Sequence, residues 1–301
     1  MRKTFSVRLA LASAFAAAYV LAFGPYPGIH AQAGARERTL FVSAVDSGGE
    51  PVNGLDADDF VITEDGRRRE ILRISRATEP MDIALLADTS AAASSLIGPL
   101  RNGLKDFVHE MAGNHQIALI GLANRPTILV DYTSDRMRIE QGINRLFSMS
   151  DSGMTLLDAL VEVSGGLRRR DATRAVIVAA VTTGIEFTNR YGVDVVDALK
   201  QAGVSLHALM VGVSDYGTVP ARERGVALDA GARETGGQYV TLLTDSSMRQ
   251  ALRKLARQLS AQYKVVYSRP ESLIPPEKTE VTSRRSEVRM RGTPARGQTG
   301  G

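Results

Sequence analysis

The chain of 301 residues has no cysteine and no tryptophan, and aromatic residues make up only 5% of it. The absence of cysteine excludes disulfides, thiolate metal sites, cysteine catalysis and lipid attachment at a cysteine. Hydrophobic residues make up 44% of the chain, an ordinary fraction for a globular protein. We therefore predict a sizeable core that needs no disulfides, in one large domain with a smaller module.

The first 33 residues have the pattern of an export signal. Three basic residues precede the apolar run LALASAFAAAYVLAF, and Ala31-Gln32-Ala33 supplies a small-x-small cleavage site. The apolar run is shorter than the roughly 20 residues of a membrane-spanning helix, which favours cleavage over an uncleaved anchor. We expect a signal peptide at 1–33 and an exported protein, periplasmic or secreted, with no membrane span after cleavage.

The charge of the chain gives no support for a nucleic-acid surface. The formal net charge is +4, but three basic groups and no acidic residue lie in the first 33 residues, which leaves about +1 for the rest. Nucleic-acid binding normally needs a clustered basic excess. The basic run at 168–174 is more typical of a solvated helix end than of a site for an anionic partner.

Residues 34–78 and 261–292 are rich in strand-forming residues. In DFVITEDGRRREILRI the pair Asp65-Gly66 separates two strand-like runs, which predicts a hairpin. Two or three strands do not make a stable sheet alone. We therefore predict that both segments pair in one small β module, and that 293–301 is a disordered tail.

Between these segments, residues 79–260 alternate buried strands such as DIALLA and RAVIVAAVTTG with amphipathic helices. The short link between QIALIGLA and PTILVDY predicts an antiparallel pair. The fold class predicted is α/β: a Rossmann-like, doubly wound, mostly parallel sheet with one antiparallel edge strand, plus the β module. Ligands of such sheets bind at the carboxyl ends of the strands.

The strand DIALLA leads into Asp88-Thr89-Ser90, which places a carboxylate and a hydroxyl at a carboxyl end. This stretch resembles the first motif of von Willebrand factor A (VWA) domains. Their metal-ion-dependent adhesion site uses Asp-x-Ser-x-Ser, a threonine on a second loop and an aspartate, often in Thr-Asp-Gly, on a third. The order of elements over 81–260 fits that family, and the whole layout is similar to the VWA-related proteins of Acidobacteria.

The resemblance implies binding loops that carry Asp88, Ser90, Thr155 and Thr183, with the first three as metal ligands. Two positions depart from the motif, because Ala92 stands at its third position and Thr183 replaces the third-loop aspartate. Mg²⁺ needs a near-octahedral set of oxygens, and neutral hydroxyls hold a hard cation weakly. We expect weak Mg²⁺ or Mn²⁺ binding or none, and no other cofactor.

Other interpretations of these residues stay open. Nearby Glu186, Ser94 and Ser95 carry oxygens that could compensate for the losses. Without a metal, Asp88 can accept backbone N–H bonds at a helix start and Ser90 can serve in a turn. Thr155 followed by Asp158 three residues later is also typical of a helix-capping arrangement.

No catalytic motif supports an enzyme. The chain has no Gly-x-Ser-x-Gly elbow, Walker loop or His-Glu-x-x-His, and His207 in an apolar strand is typical of a satisfied core residue. We expect an exported, non-catalytic, adhesion- or scaffold-type module that binds a protein partner through a degenerate site. The alternative is a cation-dependent adhesion receptor that captures an acidic residue of its partner through Mg²⁺ or Mn²⁺.

Overall fold

The structure is a computed structural model that describes residues 35–111, 113, 115–213, 217–270 and 274–295. The segment predicted as a signal peptide lies outside the described residues. The chain divides into two compact units. One of them comprises both Arg36–Arg269 and Leu273–Gly301, and it contains every described residue except Ala35 and Pro270. Within the described part, no helix is both long and apolar enough to cross a membrane.

Strands and helices alternate through the middle of the chain, whereas its two described ends consist of strands with one short 3-10 helix at Ala57–Asp59. The strands are β1 (Ala35–Val45), β2 (Phe60–Glu64), β3 (Arg67–Arg69), β4 (Ile71–Arg76), β5 (Met81–Asp88), β6 (Gln116–Leu122), β7 (Pro126–Thr133), β8 (Arg174–Thr182), β9 (Val204–Val211), β10 (Gln238–Leu242), β11 (Tyr263–Pro270), β12 (Thr279–Ser283) and β13 (Arg289–Pro294). The α-helices are α1 (Ile97–Glu110), α2 (Arg136–Asn144), α3 (Leu156–Arg170), α4 (Gly192–Ala202), α5 (Val219–Glu234) and α6 (Ser247–Ser260).

The central sheet has six strands in the order β10-β9-β8-β5-β6-β7. Every neighbouring pair is parallel except β6 and β7, which are antiparallel at one edge. All nine residues of β8 are buried, as expected for a strand covered on both faces. The fold class predicted from the sequence is confirmed.

Helices cover both faces of this sheet with apolar side chains at helical spacing. On one face, α1 and α6 bury residues such as Leu104, Phe107 and Leu255 in a core shared with β5. On the other face, α3, α4 and α5 bury a second set that includes Leu160 and Leu199. Because the helices occupy the faces, the loops at the strand ends remain the accessible part of the sheet.

The β-strands outside the central sheet form two antiparallel sheets, ordered β13-β1-β11-β4 and β12-β2-β3. They bury a separate apolar core that includes Phe60, Ile62 and Val265. The turn between β2 and β3 is the predicted hairpin, with positive φ at Asp65 (48°) and Gly66 (76°). Strands from before and after the α/β region therefore pair with each other, whereas the domain boundaries at 79 and 260 stay predictions.

The predicted tail begins too early. Thr293 and Pro294 belong to β13 and pair with Phe41 and Leu40 of β1. The N–H of Ala295 donates to the carbonyl oxygen of Thr39 over 2.9 Å, and its side chain is buried. The prediction is wrong for 293–295 because the backbone groups of β1 take these residues as hydrogen-bond partners. Residues 296–301 lie outside the described residues.

Candidate functional site

Three loops meet at the carboxyl edge of the central sheet. Loop 1 (residues 89–96) follows β5, loop 2 (residues 145–155) joins α2 to α3, and loop 3 (residues 183–191) follows β8. The parallel strands β5 and β8 end side by side, so the loops after them start from the same edge. This is the edge at which sheets of this class bind their ligands.

Backbone hydrogen bonds join the three loops. The N–H of Met149 in loop 2 donates to the carbonyl oxygen of Thr89 in loop 1 over 2.8 Å. Loop 2 also contacts loop 3, because Met154 N–H donates to Ile185 O over 2.7 Å and Phe187 N–H donates to Met154 O over 2.8 Å. The loops therefore form one continuous surface.

The carboxylate of Asp88 lies beneath this surface and is fully buried. Its Oδ1 accepts the N–H of Ser90 over 2.9 Å. Its Oδ2 accepts both the N–H of Thr182 over 2.9 Å and the Thr182 hydroxyl over 2.6 Å. Asp88 thus accepts backbone N–H bonds, one of the roles considered from the sequence. Sequence reasoning missed Thr182, whose signal was its place at the end of the strand next to β5.

The hydroxyl of Ser90 has no hydrogen-bond partner among the described residues, although Ser90 is only 1% exposed. Thr155 begins α3, but its Oγ1 donates to the carbonyl oxygen of Ala123 over 3.2 Å and makes no capping bond. The capping interpretation is therefore wrong, because a neighbouring loop carbonyl takes the hydroxyl. Asp158 forms an ion pair with Arg190 instead.

Thr183 and Ala92 lie against glycines of the neighbouring backbone. A Cβ on Gly212, which has a φ of +108°, would lie 2.7 Å from the Thr183 hydroxyl. A Cβ on Gly184 would lie 2.7 Å from the methyl group of the exposed Ala92. Of the four predicted site residues, Asp88 is hydrogen-bonded to Ser90, and neither Thr155 nor Thr183 is hydrogen-bonded to Asp88.

Glu186 of loop 3 is a buried carboxyl group, 5% exposed, and neither of its oxygens has a partner in hydrogen-bonding geometry. Burial raises its pKa to about 8. The nearby charge of Arg224 and the backbone N–H groups of Leu156 and Leu157 at the start of α3 lower the pKa, and Asp158 raises it slightly. Its carboxyl group is therefore near the start of α3 and is mostly protonated at neutral pH.

His207 in β9 is 1% exposed, and neither ring nitrogen has a partner among the described residues. Burial lowers its pKa to about 3, so the ring is neutral. It is a core residue as predicted, but not a satisfied one. In the part of the chain that the structure describes, no three His, Cys, Asp or Glu side chains are grouped so as to hold a metal ion.

The loops at this edge of the sheet expose large apolar side chains. Two of them are among the most exposed in the described chain, Ile185 at 70% and Val213 at 79%. The exposed set on these loops is Phe147, Met149, Ile185, Phe187, Tyr191, Val213 and Leu243. Exposed apolar side chains grouped on one face are typical of an interaction surface.

Neither the protein-family models nor the curated proteins contain a match to the sequence. Solved structures do match. Proximal thread matrix protein 1 from the mussel byssus is 16% identical with a TM-score of 0.51, over 66% of this chain and 49% of that one. A structure of the same protein with a zinc-occupied MIDAS motif is 15% identical with a TM-score of 0.49, over 65% of this chain and 49% of that one. A von Willebrand factor type A structure from Catenulispora acidiphila is 10% identical with a TM-score of 0.48, over 89% of this chain and 74% of that one.

This chain spans about half the length of the mussel protein. Identities this low show the fold alone. The order of the six strands, the helices on both faces and the match to proximal thread matrix protein 1 at a TM-score of 0.51 agree with one another. The chain is therefore a protein with the von Willebrand factor type A domain fold, carrying an additional β module.

Proposed function

We propose that the chain is an exported, non-catalytic protein-binding module whose contact face is formed by loops 1 to 3, with a degenerate cation site. The observation that carries this proposal is the exposure of apolar side chains on those loops, with Ile185 70% exposed and Phe187 54% exposed. Apolar and aromatic side chains are the usual anchors of protein–protein interfaces. Export rests on the predicted signal peptide.

The oxygen donors at the site fit a hard divalent cation poorly. Asp88 is the single carboxylate of the motif, and both of its oxygens already accept protein hydrogen bonds. The Thr183 hydroxyl packs on Gly212, and Ala92 contributes only a methyl group. A cation would have to share Asp88 with these donors and would gain mainly neutral oxygens, which are weak ligands.

A second candidate is the cation-dependent adhesion receptor. The observation in its favour is the Ser90 hydroxyl, which is buried next to Asp88 without a hydrogen-bond partner among the described residues. The resemblance to VWA domains gives the serine at this position the role of a direct ligand. One unpartnered hydroxyl beside a carboxylate that already accepts three hydrogen bonds supports at most weak Mg²⁺ or Mn²⁺ binding.

Capture of proteins from the cell-envelope fraction of the producing bacterium tests the proposal. The full chain is immobilised, and capture is compared in excess Mg²⁺ and in EDTA. The variant pair Ile185→Ser with Phe187→Ser removes apolar area from loop 3. Met137→Ser is the matched control, since Met137 is 72% exposed at the start of α2.

We expect one protein to be captured equally in Mg²⁺ and in EDTA, lost with the loop 3 variant, and retained with Met137→Ser. Capture that disappears in EDTA and returns with Mg²⁺ would support the cation-dependent receptor instead. Equal loss with both serine variants would mean that the partner binds exposed apolar residues in general, and would contradict the assignment of the face.

A further inference from the structure

A cavity of about 460 Å³ lies between the β module and the edge of the central sheet. Its walls are the end of β1 with the turn that follows, strand β10, helix α6 and strand β13. None of its lining residues belongs to loops 1 to 3. The cavity is thus separate from the contact face proposed above, and its volume is within the range of small-molecule sites.

Among the described residues, three cationic side chains line this cavity and none of the lining residues is acidic. Arg289 and Arg291 are two residues apart on β13, which places them on the same face of that strand. Lys254 comes from α6 on another wall. Like charges from separate elements therefore converge on one space.

The three cations contact neutral acceptors. Lys254 Nζ donates to the carbonyl oxygen of Gly48 over 2.6 Å, and Arg289 Nη2 donates to that of Ser47 over 3.1 Å. Arg291 Nη2 donates to the side-chain oxygen of Gln258 over 3.3 Å. These bonds hold the side chains in place through neutral oxygens and not through carboxylates.

Asp46 and Glu50 are the acidic residues of the turn after β1, and Glu287, two residues before Arg289, acts on Arg285. Asp46 Oδ1 accepts the N–H of Glu50 over 2.9 Å, and Glu50 forms an ion pair of 3.0 Å with Arg257. Across the described ranges, no carboxylate forms an ion pair with Lys254, Arg289 or Arg291. The three cations of the cavity therefore lack an ion-pair partner within the described ranges, and the nearest carboxylate on the turn after β1, that of Asp46, lies beside Gly48.

Arg291 is the cation most affected by this arrangement. It is half-buried, and its Nε has no hydrogen-bond partner among the described residues. Burial, followed by the like charge of Arg289, lowers its pKa. The neutral His207 nearby offers no compensating charge. A bound anion would offset the desolvation of this charge and its repulsion from Arg289.

The rest of the lining suits an organic body. Leu209, Val240 and Leu242 are apolar, the Tyr239 ring is amphipathic, and Gln250 adds an amide. We propose that this cavity binds a small organic anion, with a carboxylate or phosphate group held by Lys254, Arg289 and Arg291 and an apolar body on the sheet side. The site has three converging cations for the anionic group and apolar surface for the body.

Isothermal titration calorimetry of the full chain with defined anions tests this site. Glutarate represents carboxylates, phenyl phosphate represents phosphate esters, and inorganic phosphate tests the ion alone. Glutaramide and phenol are the neutral counterparts. Arg291→Gln and Lys254→Gln each remove one charge from a different wall, and Arg291→Lys keeps the charge. Arg68→Gln is the matched control, because Arg68 is exposed on β3 and is not among the lining residues.

We expect glutarate or phenyl phosphate to saturate one site with a Kd of about 1 mM or tighter, and the neutral counterparts not to bind. Arg291→Gln and Lys254→Gln should each weaken binding about tenfold, Arg291→Lys should weaken it less, and Arg68→Gln should change it by less than about twofold.

Preference for glutarate or for phenyl phosphate identifies which anionic group the site takes. The proposal is overturned if neither probe saturates, if Arg68→Gln weakens binding as much as Arg291→Gln, or if inorganic phosphate binds as tightly as phenyl phosphate. Because this cavity shares no residue with loops 1 to 3, either proposal can fail without the other.

Discussion

The carboxylate of Asp88 links two neighbouring strands through hydrogen bonds. It ends β5 and accepts two bonds from Thr182 at the end of β8, one from the backbone and one from the hydroxyl. A buried carboxylate needs such donors, because its charge has lost water. At the scale of the residue, the same carboxylate that suggests a metal ligand in the sequence is already used by the fold.

Replacing Thr182 with valine removes the hydroxyl that lies 2.6 Å from Asp88 Oδ2. We expect the free energy of unfolding to fall by about 2 kcal/mol, since a hydrogen bond to a charged acceptor is lost in a buried place. Urea unfolding measures the change. Thr241→Val is the control, because Thr241 is exposed on β10, and it should change stability by less than about 0.5 kcal/mol. Equal effects of the two variants would contradict this role for Thr182.

Glu186 makes a pH-dependent contribution to the stability of the fold, and the sign of that contribution follows from its raised pKa. The folded protein holds this proton up to about pH 8, whereas the ordinary pKa of the group is 4.5. The contribution to stability is therefore complete below about pH 4.5 and is lost as the pH rises toward 8. Each pKa unit corresponds to about 1.4 kcal/mol.

Glu186→Gln stays neutral and should not lose stability across this window. Relative to the parent protein, we expect the variant to unfold at a similar urea concentration at pH 4.5 and to be more stable by about 2 kcal/mol or more at pH 8. Glu162→Gln, on the exposed side of α3, serves as control and should show no such divergence. A constant difference between pH 4.5 and 8 would contradict the burial of a protonated Glu186.

Secondary-structure elements were the level at which sequence reasoning was most successful. Apolar periodicity predicts β5, α1 and β8, and the Asp65-Gly66 turn predicts the hairpin, because each signal is local. Side-chain partners in the site were not predictable in this way. The bond of Thr155 to Ala123 joins residues 32 positions apart, and the alternative cap of α3 had a plain local pattern. The Thr155 hydroxyl bonds to the distant carbonyl of Ala123 and does not cap α3, although the local sequence pattern is typical of a cap.

The attachment of the β module to the α/β region is also an element-scale property. The turn between α5 and β10 approaches β13 so closely that a Cβ on Gly236 would lie 2.1 Å from the carbonyl oxygen of Gly292. Gly236 also has a φ of +75°. Gly54 has a similar φ of +72° but no atom within 4 Å of the corresponding Cβ position.

Substituting these two glycines separates the cost of backbone strain from the cost of close packing, because both have a positive φ and Gly236 alone of the two has a close neighbour. Gly54→Ala should cost about 1–2 kcal/mol, the usual penalty of a side chain at positive φ. Gly236→Ala should cost about 3 kcal/mol or more, because overpacking against β13 adds to the same strain. Urea unfolding of both variants measures the difference. Equal costs would contradict the tight packing of the turn on β13.

At the scale of the whole molecule, a VWA-type fold presents an apolar loop surface, and a β module built from both described ends of the chain packs beside it. The predicted fold class is confirmed because long buried strands and amphipathic helices specify it redundantly. Partner identity has no comparable signal. Ile185 and Phe187 are exposed, and no periodic pattern in the sequence predicts which partner such side chains contact.

The proposed function depends on Asp88 holding no cation tightly, so that protein binding through these loops needs none. Its most direct test is calorimetric titration of Mn²⁺ into the chelator-treated full chain, compared with the double variant Ala92→Ser with Thr183→Asp. We expect saturable Mn²⁺ binding in the double variant and at least about a tenfold weaker affinity in the natural chain. Equal and tight Mn²⁺ binding by the natural chain, abolished by Asp88→Ala, would contradict it.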